Sequence, residues 1–334
     1  MENFEKIFNQ FLQCITVLQD DLNVSFGEAL TETFDNLENG KIKVENGAPD
    51  EKTVQKLSQL YQALNYEKLP RKTKVLVFNY LTLKALNEDN RNANQMPTPP
   101  VLATVMALMM QKLLPKDKQL EVVDPAIGTG SLLYSVINQL IAENHSKNNY
   151  NLVGIDNDET ILDYADIAAH LNGLDIELFC QDAIMPWMSK PADAIISDLP
   201  IGYYPLDNNA KSFDLRAEKG HSYAHFLFVE QIVRNLKPGG FAFLLVPRIM
   251  ISGQDRDQFM PWLSKKVYLD AIIDLPDDMF KNKFNQKSIL VFQNHGENAV
   301  SRDVLLTKLG SLKREDSLVD FNIKLNEWYT KPNH

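Results

Sequence analysis

Apolar positions in the first ninety residues recur three and four apart. Phe4, Ile7, Phe8 and Phe11 share one helical face, and Leu12, Ile15 and Leu18 continue it. Phe26 to Leu37 and Val54 to Leu64 repeat the period, and Val75 to Leu83 is a further apolar run. Asn39-Gly-Lys-Ile-Lys and Asn46-Gly-Ala-Pro-Asp supply the turns between them. The pattern predicts an all-helical domain over residues 1–92. Its aromatic stripe is core or a partner-helix surface, not a platform for stacking bases. A run of Asn, Asp and Glu from Asn87 to Asn94 leads out of it.

The period then changes. Short β-branched runs alternate with helical segments, as in a wound α/β sheet. Strands are predicted at Glu121–Asp124, Asn151–Asp156, Asp175–Cys180 and Ala192–Ser197, and the alternation continues through about Val246, with two further strands late in the chain. Helices are predicted at Ser131–Ile141, at Glu159–Leu171 with Asp158 as its cap, and at Tyr223–Leu236 with Lys237-Pro-Gly-Gly240 as its stop. The last two strands lie close together, which suggests an antiparallel finish. Tyr204 to His221 has no period, and a structureless loop of that length commonly has a function such as gating. His221 and His225 at its end receive no catalytic role. Val300 to His334 reads as a strand and helix on the sheet edge or as a mobile tail.

Strand tips in such a sheet share one edge, where ligands bind. The first strand runs into Asp124-Pro-Ala-Ile-Gly-Thr-Gly130. Gly128 and Gly130 lack a Cβ, so the backbone can turn tightly and approach a ligand. Asp124 can accept from an amino or cationic group. Asp156 ends the second strand, where a carboxylate can take both hydroxyls of a ribose. Asp182 follows the third strand and can accept from an adenine amino group. Taken singly, each acid also fits a helix cap or a turn, and the glycine pair also fits an ordinary strand-to-helix turn. A dinucleotide dehydrogenase would carry a third glycine where this chain has Leu133, which weakens that reading.

Asp124-Pro-Ala-Ile-Gly-Thr-Gly130 resembles the cofactor loop of class I S-adenosylmethionine-dependent methyltransferases. It is most similar to the N6-adenine DNA methylases and the modification subunits of type I restriction systems, with Ile127 in the place of a cysteine. Gln95-Met-Pro-Thr-Pro99 resembles the family's Thr-Pro element, with Met96-Pro97 in place of an aromatic pair. Leu236–Pro247, Leu269–Pro276 with Phe280, and Asn285–Phe292 resemble its last three strands. The resemblance spans residues 95–293. It implies a Rossmann-like, seven-stranded, mostly parallel sheet over residues 93–296, with an extension over 297–334 that is packed on the core or partly mobile. It also implies S-adenosyl-L-methionine as cofactor. Thr98, Asp124, Pro125, Ala126, Gly128 and Gly130 would then hold the methionine end, Asp156 and Asn157 the ribose, and Asp182 and Ala183 the adenine.

The family's reaction centre is Asn/Asp/Ser-Pro-Pro-aromatic. Here it is Asp198-Leu-Pro-Ile201, so Leu199 replaces a proline and Ile201 the aromatic. The amine of adenine is a poor nucleophile because its lone pair is delocalised into the ring. Acceptors on its N–H groups orient that lone pair and stabilise the charge that develops on nitrogen. The resemblance assigns this work to Asp198, also beside the cofactor, and to the Leu199 carbonyl, stiffened by Pro200. An aromatic stacked on an extruded base is worth on the order of 1–3 kcal/mol. Tyr203 and Tyr204 are the nearest replacements; the competing role for both is packing the loop on the sheet.

Composition adjusts this picture. The 334 residues are 44% hydrophobic and 23% charged, ordinary for a globular chain. Cys14 and Cys180 have no metal-like spacing, so no metal site is expected. No apolar run is long enough to span a membrane, and Met-Glu-Asn-Phe-Glu-Lys lacks the basic start of a secretion signal. A cytoplasmic protein with no membrane partner is expected. The net charge of −10 disfavours non-specific adhesion to nucleic acid. Two basic clusters, Lys68/Arg71/Lys72/Lys74 and Lys211/Arg216/Lys219/His221, are commonly plain solvated faces.

The reading that results is an N6-adenine methyltransferase acting on DNA, with the helical domain available for self-association or a partner subunit. Two alternatives stand beside it. The acidic charge and the absence of a recognisable DNA-reading domain favour a protein or RNA N-methyltransferase. Leu199 and Ile201 favour a catalytically degenerate protein of this fold that binds cofactor or partner.

Overall fold

In chain order the helices and strands are α1 (Glu2–Leu22), α2 (Phe26–Asn39), α3 (Glu51–Leu64), α4 (Arg71–Glu88), α5 (Pro100–Leu113), β1 (Leu120–Asp124), α6 (Ser131–Ala142), β2 (Tyr150–Asp156), α7 (Glu159–Leu171), β3 (Ile176–Cys180), β4 (Ala192–Asp198), α8 (Asp207–Ala210), α9 (Ala224–Asn235), β5 (Leu236–Pro247), α10 (Ile249–Ser252), α11 (Arg256–Lys266), β6 (Val267–Asp274), β7 (Lys287–Asn294), β8 (Leu305–Lys308) and α12 (Asp316–Thr330). This computed structural model describes residues 2–89, 95–143, 149–253, 256–280, 285–314 and 316–331. Much of the polar run leading out of the helical domain, residues 90–94, lies outside them, as does the chain's end from 332.

The chain forms two compact units. The first is residues 1–97 with 128–130 and 158–174. Its helices start where local chemistry dictates. Ser25 accepts the Glu28 amide at 3.1 Å while the Glu28 carboxylate accepts the Ser25 amide at 2.8 Å, a reciprocal cap that opens α2. Asp50 accepts the Thr53 amide at 2.7 Å and opens α3. The aromatic stripe of α1 is core at its inner end: Phe11 stacks on Phe34 at 5.2 Å, and Phe34 meets Phe78 edge-on at 4.9 Å. The helix α7 packs in this unit too. Arg71 Nε donates to the Leu171 carbonyl at 2.9 Å, and Glu38 bonds the His170 ring at 2.9 Å. Lys74 lies 3.6 Å over the ring of Tyr66. Two of the four cations in the first basic cluster therefore have structural work.

The second unit is built on one sheet of eight strands, ordered β3-β2-β1-β4-β5-β7-β6-β8. The strands β3, β2, β1, β4 and β5 run parallel, and β7 is antiparallel to both β5 and β6. The antiparallel finish follows the sequence reading. Beyond the seven strands of the expected core, β8 pairs parallel with β6 from Ala271↔Leu305 to Asp274↔Lys308, and with α12 it fits the strand-and-helix alternative for the terminal segment rather than the mobile tail. The four residues of β8, Leu305-Leu-Thr-Lys308, are too few to show an alternation, and pairing with β6 alone defines it. Together with α12 it orders the carboxyl-terminal segment. The helix α9 ends at Asn235, just before the Lys237-Pro-Gly-Gly240 stop, and β5 begins at Leu236 and includes those residues.

The sheet's centre is dry. Every residue of β4 except its last is buried, and β5 is buried from Gly240 to Pro247. Parallel strands buried on both faces read as continuous apolar runs, as here. At the edge opposite the strand tips Asp193 joins three strands. It accepts Lys118 at 2.8 Å, Lys237 at 2.6 Å and the Glu121 amide at 2.9 Å.

Phe34 is 0% exposed at the centre of the helical unit's aromatic cluster. Replacing it with alanine is expected to cost about 3–5 kcal/mol. Urea unfolding followed at tyrosine in α3 and α4 should show this as an early transition.

Candidate functional site

Parallel pairing sets the site. Asp124 pairs in register with Gly154 across β1 and β2, and Asp156 with Cys180 across β2 and β3. Asp198 ends β4 beside them. Three strands thus end in a carboxylate on the same sheet edge.

Asp124 is 1% exposed. Its Oδ1 accepts the Ser197 hydroxyl at 2.7 Å and the Ala126 amide at 3.1 Å. Burial lifts its pKa to about 7; those two hydrogen bonds oppose the rise, and the charges of Asp198 and Asp156 add to it. Among the described residues no cationic side chain pairs with it. Pro125 and Ala126 form the turn that follows, and the Ile127 amide ties it to β2 through the Ile155 carbonyl at 3.0 Å. Gly128 and Gly130 take φ of 54° and 75°, which L side chains rarely adopt. A Cβ at Gly128 would meet no atom within 4 Å, so space is open above the turn.

Asp156 is half-buried and its carbonyl receives the Gln181 amide at 2.9 Å, while Asn157 is exposed. Asp182 caps its own turn by accepting the Ile184 amide at 3.0 Å. Its other oxygen receives the hydroxyl of Tyr204. Ala183 is buried beneath it, and its carbonyl accepts the Trp187 indole at 2.7 Å.

The end of β4 carries the densest polar geometry. Asp198 Oδ2 accepts the Thr98 hydroxyl at 2.9 Å, and Oδ1 accepts the ammonium of Lys287. The same ammonium lies 3.5 Å from the Leu199 carbonyl. The Leu199 side chain is fully buried in the core, and its amide is held by the Leu245 carbonyl at 3.0 Å. The main chain at residue 199 is therefore anchored by packing and a ladder bond where the family's proline would stiffen it. Thr98 is fixed in turn, since its carbonyl accepts the Ser131 hydroxyl at 3.0 Å. Pro200 and Ile201 are half-buried.

The loop after β4 is not structureless. Tyr204, Ala210 and Phe213 form a small core with Ile184, Ala224 and Leu227. Buried Glu230 accepts the amides of Asp214 at 3.0 Å and Leu215 at 2.9 Å. Tyr204 does what loop packing requires. Tyr203 instead is 61% exposed and stacks on Tyr223 at 4.5 Å, and Tyr223 stacks on His225 at 5.2 Å. Tyr203, Tyr223, Phe226, Arg216, Lys219 and His221 line part of a cavity of about 220 Å³.

The sequence reading missed Lys287, which carried one weak signal, a lone cation opening a largely apolar strand. It names His225 without assigning it a catalytic role. His225 is 3% exposed, and burial and then the charge of Lys287 lower its pKa to about 4, so it is a neutral ring at pH 7.

The donor set fits a cationic nucleoside: a buried carboxylate that no cation among the described residues pairs with, beside two further carboxylates. The strand order and this acidic edge are those of the class I S-adenosylmethionine-dependent methyltransferases. Residues 76–325 match the N-6 DNA methylase family, and residues 5–75 match the YtxK N-terminal helical domain. An uncharacterized Bacillus subtilis protein, YtxK, is 32% identical over 97% of each chain. A Listeria monocytogenes crystal structure, described provisionally as a class I S-adenosylmethionine-dependent methyltransferase, is 32% identical, with a TM-score of 0.86 over 98% of this chain and 99% of that one. A modification subunit of a type I restriction enzyme from Vibrio vulnificus shares the fold at 18% identity, with a TM-score of 0.61 over 83% of this chain and 62% of that one. The chain belongs to the N-6 DNA methylase family, and its cofactor is S-adenosylmethionine.

A carboxyl whose pKa is raised by folding gives stability that is present below the ordinary carboxylate range and lost as pH rises through the folded value. For Asp124 that loss is complete above about pH 7. Asp124→Asn keeps an acceptor for Ser197 and Ala126 and removes the charge. Its thermal midpoint, relative to wild type, should climb between pH 5 and pH 7.5 and then level off. A flat difference across that range would mean that Asp124 is already ionised at pH 5.

Proposed function

We propose that this protein transfers the methyl group of S-adenosylmethionine to the N6 amine of adenine in DNA. The observation that carries the reading is the convergence of the Asp198 carboxylate and the Leu199 carbonyl on one nitrogen, that of Lys287. Two acceptors spaced to share an ammonium are spaced to share the two N–H groups of an amine. The DNA substrate rests on the family match.

In this reading Thr98, Asp124, Pro125, Ala126, Gly128 and Gly130 hold the methionine end of the cofactor. Asp156 and Asn157 hold its ribose, and Asp182 and Ala183 its adenine. The bound cofactor supplies an electrophilic methyl group on a sulfonium. Asp198 and the Leu199 carbonyl bind the target N–H groups, draw the lone pair out of conjugation with the ring toward the methyl carbon and stabilise the positive charge that forms on nitrogen. Alignment of two bound reactants supplies much of the remaining gain. The Thr98 hydroxyl holds Asp198 in place, and Pro200 limits the loop. Tyr203, exposed and backed by Tyr223, is the ring on which a base extruded from the duplex stacks. Leu76 and Tyr80, one turn apart on α4, are 45% and 51% exposed and form the surface for self-association or a partner subunit.

A second reading has an observation of its own. The ammonium of Lys287 already fills the acceptor pair, which favours a protein that binds cofactor without transferring its methyl group.

Two measurements test the proposal. Labelled methyl transfer should appear in DNA rather than in RNA or protein, and Asp198→Ala should lower it at least a hundredfold while calorimetry still detects S-adenosylmethionine binding. Cofactor binding with no transfer to any polymer would select the second reading. Binding should also tighten from pH 6 to pH 8 as Asp124 ionises, and Asp124→Asn should flatten that trend. A wild-type affinity that is constant over this range would separate Asp124 from the cofactor.

A further inference from the structure

Lys287 is placed by its strand. It is the first residue of β7 and pairs with Pro247 of β5, so its backbone is fixed by the ladder. The residues around it reinforce that start. The Gln286 carbonyl accepts the Arg248 amide at 2.8 Å, its side chain bonds Arg248 at 3.0 Å and Asp277 at 3.1 Å, and Ser288 donates to Asp274 at 2.6 Å. From this anchored base the side chain reaches Asp198 and Leu199, and only its head group needs to move to leave them. The Lys287 and Asp198 side chains are 17% and 23% exposed, so the pair is largely withdrawn from water. The buried ring of His225 carries no competing positive charge.

An ammonium paired with a carboxylate makes charge-assisted hydrogen bonds, roughly twice as strong as neutral ones. A nucleobase amine offers neutral N–H groups to the same oxygens. The two cannot share them: the Lys287 nitrogen spans the carboxylate oxygen and the carbonyl that the incoming amine would span.

We propose that Lys287 is an internal occupant of the target-amine subsite, which the amino group of a substrate must displace. This rests on the assignment of Asp198 and the Leu199 carbonyl as the acceptors for the target amine. It makes Lys287 a specificity-determining residue. Only a group that brings an amine to both oxygens, with enough binding elsewhere to replace the ion pair, opens the subsite; a base without an amine cannot. The flexible stem lets the displaced ammonium swing to an anionic group of the substrate, and in DNA the phosphate beside an extruded base is such a group.

The deciding experiment reads Lys287 directly. The full-length protein, saturated with S-adenosylhomocysteine, is treated with formaldehyde and cyanoborohydride, and dimethylation of each lysine is quantified by mass spectrometry. Lys287 should label at least tenfold more slowly than Lys219, and Asp198→Asn should raise its rate toward that of Lys219. Millimolar adenosine should raise Lys287 labelling in the wild type, and purine riboside, which lacks the 6-amino group, should not. Equal labelling of Lys287 and Lys219, or equal effects of the two nucleosides, would overturn the proposal. The outcome is separable from the DNA assay. Adenosine-displaceable Lys287 in a protein that methylates no DNA upholds the occupant and defeats the DNA reading. Methylation of DNA by a protein whose Lys287 ignores adenosine does the reverse.

Discussion

Negative charge concentrated at one sheet edge is the constraint on which this structure turns. The parallel register of β1, β2 and β4 carries Asp124, Asp156 and Asp198 to neighbouring strand tips, and their charges oppose one another. Burial makes the opposition costly at Asp124, whose pKa rises to about 7. Such an edge is stable only if something compensates it: a proton on Asp124, an ammonium on Asp198, or a cationic ligand. In the free protein the Lys287 ammonium meets Asp198, and the raised pKa of Asp124 favours its proton. In the proposed reading a sulfonium nucleoside would supply the third, and the repulsion along the free edge would favour it.

The departures from the family's reaction centre look different in this light. Losing the first proline to Leu199 does not loosen the main chain, because that side chain is buried and its amide is tied to β5. Ile201 supplies no ring, while two residues on Tyr203 is exposed and stacked on Tyr223. Ninety residues away in sequence, the Lys287 head group reaches the Asp198 carboxylate and the Leu199 carbonyl, the two acceptors that those substitutions leave intact.

The loop from Tyr204 to His221 shows how apparent disorder in a sequence can conceal anchoring. Its buried points have no helical or strand period: Tyr204, Ala210 and Phe213 join a small core with Ile184, Ala224 and Leu227, and Leu215 joins the main core. Glu230 satisfies two of its amides from α9, a contact that a carboxylate within a helix pattern does not announce. The loop's exposed basic residues thus stand on a fixed base.

The sequence by itself determined the helical domain, the alternation of strand and helix, the acids at the ends of β1 and β2 and just past β3, and the glycine turn after β1. Those follow from local rules: apolar period, a capping residue such as Asp158, and conformations that glycine tolerates. It also determined the family, because the ordered series of motifs is local. Only the tertiary structure decided that β8 is a strand, since pairing with β6 alone defines it. Only the tertiary structure joined Thr98, Asp198 and Lys287, which lie about a hundred and ninety residues apart from first to last and meet through the crossing of strands. A side chain's partner across a sheet is set by register, and register is a property of the assembled sheet rather than of any one segment.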